Sequence, residues 1–230
     1  AGLASGWVVT WTERGADSDG DGIYFALVDP AGTVGRARTA NQYTPGRQAS
    51  PAIASTTSGF VIAWADQSGT MTPLPFLARL RFRTFDASGS ATIDEAALSP
   101  DGTSGGEPYL VSGAGVVLAL WTQDATTLFE RPTVVARRLG AATDPVPFTI
   151  SGMDGAEPSA AELGTGAFAV AWVSRAADTQ GDIHSRLVRA TGDPLAGTTV
   201  IPLTMTMGTA VAEVAPSVLA LSGSEYLVSY

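Results

Sequence analysis

One six-residue pattern, a strand-like apolar run closed by an aromatic residue, occurs five times in this chain of 230 residues. Its copies are residues 6–11, 59–64, 116–121, 167–172 and 225–230. The closing aromatic residues lie 53, 57, 51 and 58 residues apart, by subtraction of their numbers. A period of about 50 residues built on strand-length segments is typical of β-propellers, in which each repeat forms one four-stranded blade.

The pattern inside each repeat predicts four strands and no helix. The aromatic-ended second strand is apolar on both faces, which is typical of a strand buried between two neighbouring sheets. Four repeats open on a proline, and we expect it at the first position of its strand, where the missing N–H costs no ladder bond. These prolines are Pro51, Pro108, Pro158 and Pro216. The sequence therefore predicts an all-β protein, a β-propeller of four-stranded antiparallel blades.

The repeats cover about residues 1–51, 51–108, 108–158 and 158–216, and a partial repeat covers 216–230. We therefore expect one propeller domain with four complete repeats plus a half repeat. Repeat proteins are stabilised by stacked neighbours, and an open end normally needs a cap. We expect a portion of a larger propeller of roughly seven or eight blades. The remainder of a longer parent chain or a partner chain would complete it.

Composition narrows the possible functions. The net charge of −9 argues against nucleic acid, because the phosphates would be repelled. The absence of cysteine excludes disulfides and thiolate metal sites, and a single histidine, His184, excludes a multi-histidine metal site. No apolar run approaches the roughly 18 residues that a membrane-spanning helix needs. The chain is therefore predicted to have no membrane span and no nucleic-acid partner.

The segment from residue 17 to residue 23 has the spacing of a calcium loop. Asp17, Asp19 and Asp21 stand at positions 1, 3 and 5, a glycine follows, and the backbone carbonyl of Ile23 stands at position 7. Three carboxylates in one tight turn repel each other unless a cation neutralises them. No acidic residue stands at positions 9 or 12, however. Calcium is therefore a possible cofactor, and the alternative is a solvated turn.

Three arginines occupy the same place in the third strands of repeats two to four: Arg83, Arg137 and Arg186. Guanidinium groups in such a set would suit the carboxylates or sulfates of a polysaccharide. The alternative, which we favour, is structural pairing with an acid or a carbonyl of a neighbouring blade, with the arginine packed over a tryptophan. The acids just before the proline strands are natural partners. Those acids are Glu107, Glu157 and Glu213.

Aromatic residues divide into two groups. Those of the second strands are expected in the core, whereas Tyr43, Phe76 and Phe129 lie in predicted loops and are the candidates for ligand contact. His184 beside Asp182 would serve as a general base only with a partner that the sequence does not show. We therefore predict no catalytic residue.

Several phrases of the repeat resemble a known group of repeats. Residues 181–187, Gly-Asp-Ile-His-Ser-Arg-Leu, and residues 192–195, Gly-Asp-Pro-Leu, come closest. With the proline strand and the Gly-aromatic-Val-Val-x-Trp strand, they resemble the propeller repeats of about fifty residues in large secreted and surface-attached bacterial proteins. The resemblance covers essentially the whole chain. It implies an extracellular or cell-surface location and a role in binding or adhesion.

We therefore predict a non-enzymatic binding, adhesion or assembly module on a propeller scaffold, with a protein or polysaccharide ligand. The first alternative is a glycan-binding, lectin-like propeller. A further alternative is a fragment of a propeller-fold polysaccharide hydrolase or lyase.

Overall fold

The computed structural model describes residues 1–17, 20–68, 78–124, 131–140, 146–152, 154–175, 181–189, 201–202 and 214–230, with the backbone alone at 16, 17, 201 and 202. All the regular elements of these residues are strands, which confirms the prediction of an all-β chain. No helix that could cross a membrane occurs in the described part of the chain. The chain divides into two compact units, Ala1–Leu110 and Val111–Tyr230.

The first unit contains two four-stranded antiparallel sheets, each paired in chain order. Sheet 1 comprises β1 (Gly2–Leu3), β2 (Gly6–Asp17), β3 (Gly20–Val28) and β4 (Arg38–Thr39). Sheet 2 comprises β5 (Gln48–Ser55), β6 (Gly59–Asp66), β7 (Arg79–Asp86) and β8 (Ala91–Ala97). Each of these sheets comes from one predicted repeat.

The second unit begins inside β9 and contains two more four-stranded sheets and a two-stranded one. Sheet 3 comprises β9 (Tyr109–Gly113), β10 (Val116–Gln123), β11 (Thr133–Leu139) and β12 (Phe148–Thr149). Sheet 4 comprises β13 (Gly155–Glu162), β14 (Ala167–Ser174), β15 (Asp182–Arg189) and β16 (Ile201–Pro202). Sheet 5 comprises β17 (Ser217–Ser222) and β18 (Glu225–Ser229).

The core of the first unit lies between sheets 1 and 2. Sheet 1 contributes Val8 and Phe25, which pack in one cluster with Phe60 and Trp64 of sheet 2. The rings of Phe25 and Phe60 meet edge to face with centroids 5.3 Å apart, an arrangement that aromatic quadrupoles favour. Every residue of β6 is buried, as expected for a strand that is apolar on both faces.

The expectation of burial is wrong for the first copy of the pattern. Trp7 is 50% exposed and Val9 is also exposed, whereas Phe60 and Ile62 at the same two positions of sheet 2 are fully buried. The reason is the order of the sheets. Sheet 1 covers the Phe60 side of sheet 2, but no described strand of the first unit covers the Trp7 side of sheet 1.

Two of the four prolines are placed differently from the prediction, whereas Pro108 and Pro216 directly precede β9 and β17. Pro51 and Pro158 lie inside β5 and β13, three residues after each strand begins, at points where the pairing register shifts. The preceding residues, Ser50 and Glu157, have positive φ angles of 52° and 53°. These are β-bulges, which tolerate a proline because the ladder is already interrupted there.

Candidate functional site

Polar side chains gather at one end of sheet 2. Because neighbouring strands are antiparallel, the starts of β5 and β7 and the ends of β6 and β8 lie at this same end of the sheet. The segment 40–47, which follows sheet 1, reaches this edge through hydrogen bonds to β8. We call the following residues the polar edge: Asn41, Gln42, Tyr43, Gln48, Asp66, Arg81, Asp94 and Glu95.

One arginine holds two buried carboxylates at the polar edge. Nε of Arg81 lies 2.5 Å from Oδ2 of Asp66, and its Nη1 lies 3.1 Å from Oε1 of Glu95. The Glu95 contact is an ion pair without hydrogen-bond geometry at Oε1. Both carboxylate side chains are almost fully buried, and buried charges are tolerated only when they are paired in this way.

The same glutamate fixes the segment that carries Tyr43. Oε2 of Glu95 accepts hydrogen bonds from the backbone N–H groups of Gln42 at 2.6 Å and Tyr43 at 3.0 Å. Its own N–H donates to Oε1 of Gln42 at 2.7 Å. Nδ2 of Asn41 donates to the carbonyl of Tyr43 at 2.9 Å. The backbone of Tyr43 is therefore held on both sides.

The ring of Tyr43 stays in contact with solvent. The residue as a whole is 46% exposed, and the guanidinium carbon of Arg81 lies 5.5 Å from the ring centroid. Beside it, the Asp94 side chain is 83% exposed and accepts a hydrogen bond from Nε2 of Gln42 at 3.1 Å. An aromatic face next to a carboxylate can receive a sugar, because the ring packs on C–H groups and the carboxylate accepts hydroxyl hydrogens.

Tyr43 is the one predicted loop aromatic among the described residues, because Phe76 and Phe129 lie outside them. The ion network next to Tyr43 is not among the predictions made from the sequence. Arg81 pairs across the strands with Trp64, the closing aromatic of its repeat. The residues paired in the same way with the closing aromatics of the other four-stranded sheets are Tyr24, Val135 and His184. An arginine at this position in one of the four sheets is the sequence signal that could have indicated the network.

The repeated arginines have structural partners. Nη1 of Arg83 donates to the carbonyl of Ala40 at 3.0 Å, and Nη1 of Arg186 donates to the carbonyl of Ile150 at 3.4 Å. Each acceptor directly follows the outer strand of the preceding sheet. Arg137 is buried in β11 and also has a partner. These arginines therefore brace neighbouring parts of the fold, and their contact with a ligand stays a prediction.

The acids proposed as their partners contact other groups. Glu107 accepts a hydrogen bond from Oγ of Ser50 at 2.7 Å. Glu157 lies 3.3 Å from Nη2 of Arg175 and accepts the N–H of Ala215 at 2.8 Å. Glu213 lies outside the described residues. Arg83 and Arg186 thus bind carbonyl groups, one of the two kinds of acceptor favoured from the sequence, whereas Glu107 and Glu157, named there as natural partners, contact other groups.

The predicted calcium segment forms the tip of the β2–β3 hairpin, where Asp17 pairs with Gly20. The Asp21 carboxylate lies 3.1 Å from Nε of Arg47, and the carbonyl of Ile23 accepts the N–H of Ala40. Asp19 and the side chain of Asp17 lie outside the part of the chain that the structure describes. Across the described residues, no three acidic or histidine side chains form a metal-binding group. Calcium at this tip stays a prediction, in which the cation must compete with Arg47.

We expect His184 to make the stability of the chain depend on pH below neutrality. Its ring meets Trp172 edge to face at 6.1 Å, and burial lowers the pKa of His184 below 6.5, although the charge of Asp182 opposes this. The unfolded chain then binds a proton more readily, so stability falls as the pH drops through about 6.5. We expect His184→Gln to weaken this loss. Melting temperatures measured between about pH 8 and pH 5 test this expectation. An equal fall in melting temperature for wild type and His184→Gln would contradict it.

No protein-family model matches this sequence, and a search of curated proteins gives no match either. Solved structures do match. An α-L-arabinofuranosidase from Lactobacillus brevis is 13% identical with a TM-score of 0.50, over 95% of this chain and 81% of that one. The α-L-arabinanase of Penicillium chrysogenum, solved with arabinobiose, is 11% identical with a TM-score of 0.55, over 96% and 74%.

A third structure, an exo-β-1,3-galactanase from Phanerochaete chrysosporium solved with β-1,3-galactotriose, is 12% identical with a TM-score of 0.50. The match covers 87% of this chain and 48% of that one. The first two enzymes are five-bladed β-propellers. At this level of identity the likeness is one of fold: all-β, with four-stranded antiparallel sheets, as in propeller proteins.

Proposed function

We propose that this chain is a β-propeller that binds a neutral polysaccharide, and that Tyr43 at the polar edge contacts the sugar. The observation that carries the proposal is the solvent-exposed Tyr43, held over Arg81 by the network of Asp66, Arg81 and Glu95. The fold likeness to an arabinofuranosidase, an arabinanase and a galactanase supports carbohydrate as the ligand class.

The network explains why Tyr43 suits a ligand. Arg81 pairs by charge with Asp66 and Glu95, and Glu95 accepts backbone N–H groups of segment 40–47. The ring of Tyr43 is left to solvent, in a fixed position. A rigid aromatic group binds with little loss of conformational entropy, which raises affinity without adding contacts.

The charge at the polar edge favours a neutral glycan. The most exposed charged group there is the Asp94 carboxylate, whereas Arg81 and Arg83 are largely buried. A sulfated or uronate polymer would meet repulsion from Asp94 and from the net charge of −9. Hydroxyl groups of a neutral sugar instead find an acceptor.

Isothermal titration with arabinan and galactan oligosaccharides tests the binding. We expect wild-type protein to bind one of them, Tyr43→Ala to lose at least about tenfold in affinity, and Tyr43→Phe to retain most of it. Tyr230→Ala is the matched control, because Tyr230 is an exposed tyrosine that belongs to the second unit. Binding by Tyr43→Ala equal to wild type, or no binding by wild type, would refute the proposal.

Hydrolysis of the same polymers is the second candidate, and the fold likeness to three glycoside-cleaving enzymes favours it. Such a reaction needs two carboxyl groups flanking one glycosidic bond. Release of reducing ends from arabinan or galactan separates an enzyme from a lectin. The adhesion or assembly role predicted from the sequence receives no support from these comparisons. A secreted location and a propeller of more blades than this chain supplies remain proposals.

A further inference from the structure

Sheets 1, 2 and 3 share one hydrogen bond at the place where the outer strand ends. A backbone N–H group near the start of the third strand donates to a buried polar side chain two residues beyond the outer strand. The donor and acceptor pairs are Ile23 with Asn41 at 2.8 Å, Leu80 with Ser99 at 3.1 Å, and Val134 with Ser151 at 2.8 Å. The side chain gives a buried N–H group its acceptor, which is a structural role that the three repeats share.

In the first repeat, the same side chain also holds the segment that carries Tyr43. Nδ2 of Asn41 donates to the carbonyl of Tyr43 at 2.9 Å and to Oε1 of Gln48 at 3.2 Å. Nε2 of Gln48 in turn donates to the carbonyl of Pro45 at 3.0 Å. Both amide side chains are buried. Two buried amides therefore fix two carbonyl groups inside segment 40–47.

The next two connections between sheets have smaller residues in place of this amide pair. The third residue before the repeat's proline is Gln48 in the first connection, and it is Gly105 and Gly155 in the second and third. A Cβ added at Gly155 would lie 2.2 Å from Oγ of Ser151, so a glutamine there would displace the serine. A serine with a glycine is thus the form of these two connections. The connection that carries Tyr43 has an asparagine with a glutamine.

We infer that Asn41 is a positioning residue of the sugar site and acts through Tyr43. Its Oδ1 atom supports the sheet, as the serine hydroxyl groups do in the other repeats, whereas its Nδ2 group and Gln48 fix the shape of segment 40–47. A sugar then meets an aromatic ring that is already ordered, which preserves affinity. The inference rests on the proposed sugar binding at Tyr43. It adds that sheet stability and ligand affinity depend on different atoms of one side chain.

The double variant Asn41→Ser, Gln48→Gly tests this separation, because it gives the first connection the side chains of the other two. Serine keeps an acceptor for the N–H group of Ile23, so we expect a folded protein with a cooperative melting transition. The affinity for the arabinan or galactan oligosaccharide that wild type binds should fall about tenfold. The amide hydrogens of Gln42 and Tyr43, followed by NMR, should exchange at least about tenfold faster, because segment 40–47 opens more often.

Ser151→Ala is the matched control, because it removes the equivalent hydrogen bond in the second unit. It should lower the melting temperature and leave the sugar affinity and the exchange at Tyr43 unchanged. A double variant with wild-type exchange rates would overturn the inference, and so would faster exchange with unchanged affinity. If wild-type protein binds no oligosaccharide, the proposed function fails, and the exchange rates alone then decide whether Asn41 positions segment 40–47.

Discussion

Phe60→Ala is expected to lower the free energy of unfolding by about 3–5 kcal/mol, the usual cost of removing a buried phenylalanine side chain. The ring is fully buried, and its centroid lies 5.3 Å from that of Phe25 and 5.1 Å from that of Phe85. The cavity that the substitution leaves would therefore be lined by other rings, which cannot collapse into it. Urea unfolding measures the change.

Trp7→Ala is the matched control, because Trp7 has the same repeat position but is half exposed. We expect Trp7→Ala to lower the free energy of unfolding by less than about 1.5 kcal/mol, because half of this residue is already in contact with water. Equal losses for the two variants would contradict the packing described between sheets 1 and 2.

Arg81→Met is expected to cost about 3–5 kcal/mol, because it leaves the buried carboxylates of Asp66 and Glu95 without their cation. The methionine retains much of the stem of the arginine, so the loss reports the charge and not the volume. The loss of Arg81 would also loosen segment 40–47 at the polar edge. The affinity for sugar at Tyr43 should therefore fall together with stability.

Arg47→Met is the control for this experiment. Arg47 also pairs with one carboxylate, that of Asp21, but its side chain is more than half exposed. An exposed pair of this kind contributes about 0–1 kcal/mol. Adding Asp66→Asn and Glu95→Gln to Arg81→Met should recover part of the stability, since no unpaired charge then remains. Equal losses for Arg81→Met and Arg47→Met would show that the network is not held together by charge.

The strand pattern was predictable because it follows from local sequence. A strand such as β6 is apolar on both faces, and its residues are buried wherever sheets lie on both sides of it. Trp7 shows the limit of that inference. Its local pattern equals that of Phe60, but its burial depends on whether another sheet is present, which no residue near it encodes.

The candidate site was only partly predictable. Tyr43 could be identified as an aromatic residue in a loop, but the partners that fix it are 23, 38 and 52 residues away in sequence, by subtraction. Asp66, Arg81 and Glu95 meet only because antiparallel strands return to one edge. Asp94 and Glu95 both contact arginines of one face of β7, Arg83 and Arg81, because the pairing register of β8 shifts at these two residues.

A crystal structure of the protein soaked with arabinan and galactan oligosaccharides tests the central claim most directly. The predicted result is a sugar ring packed on Tyr43, with a hydroxyl group within hydrogen-bond distance of the Asp94 carboxylate. A sugar bound elsewhere on the chain, with the ring of Tyr43 still open to solvent, would contradict the account.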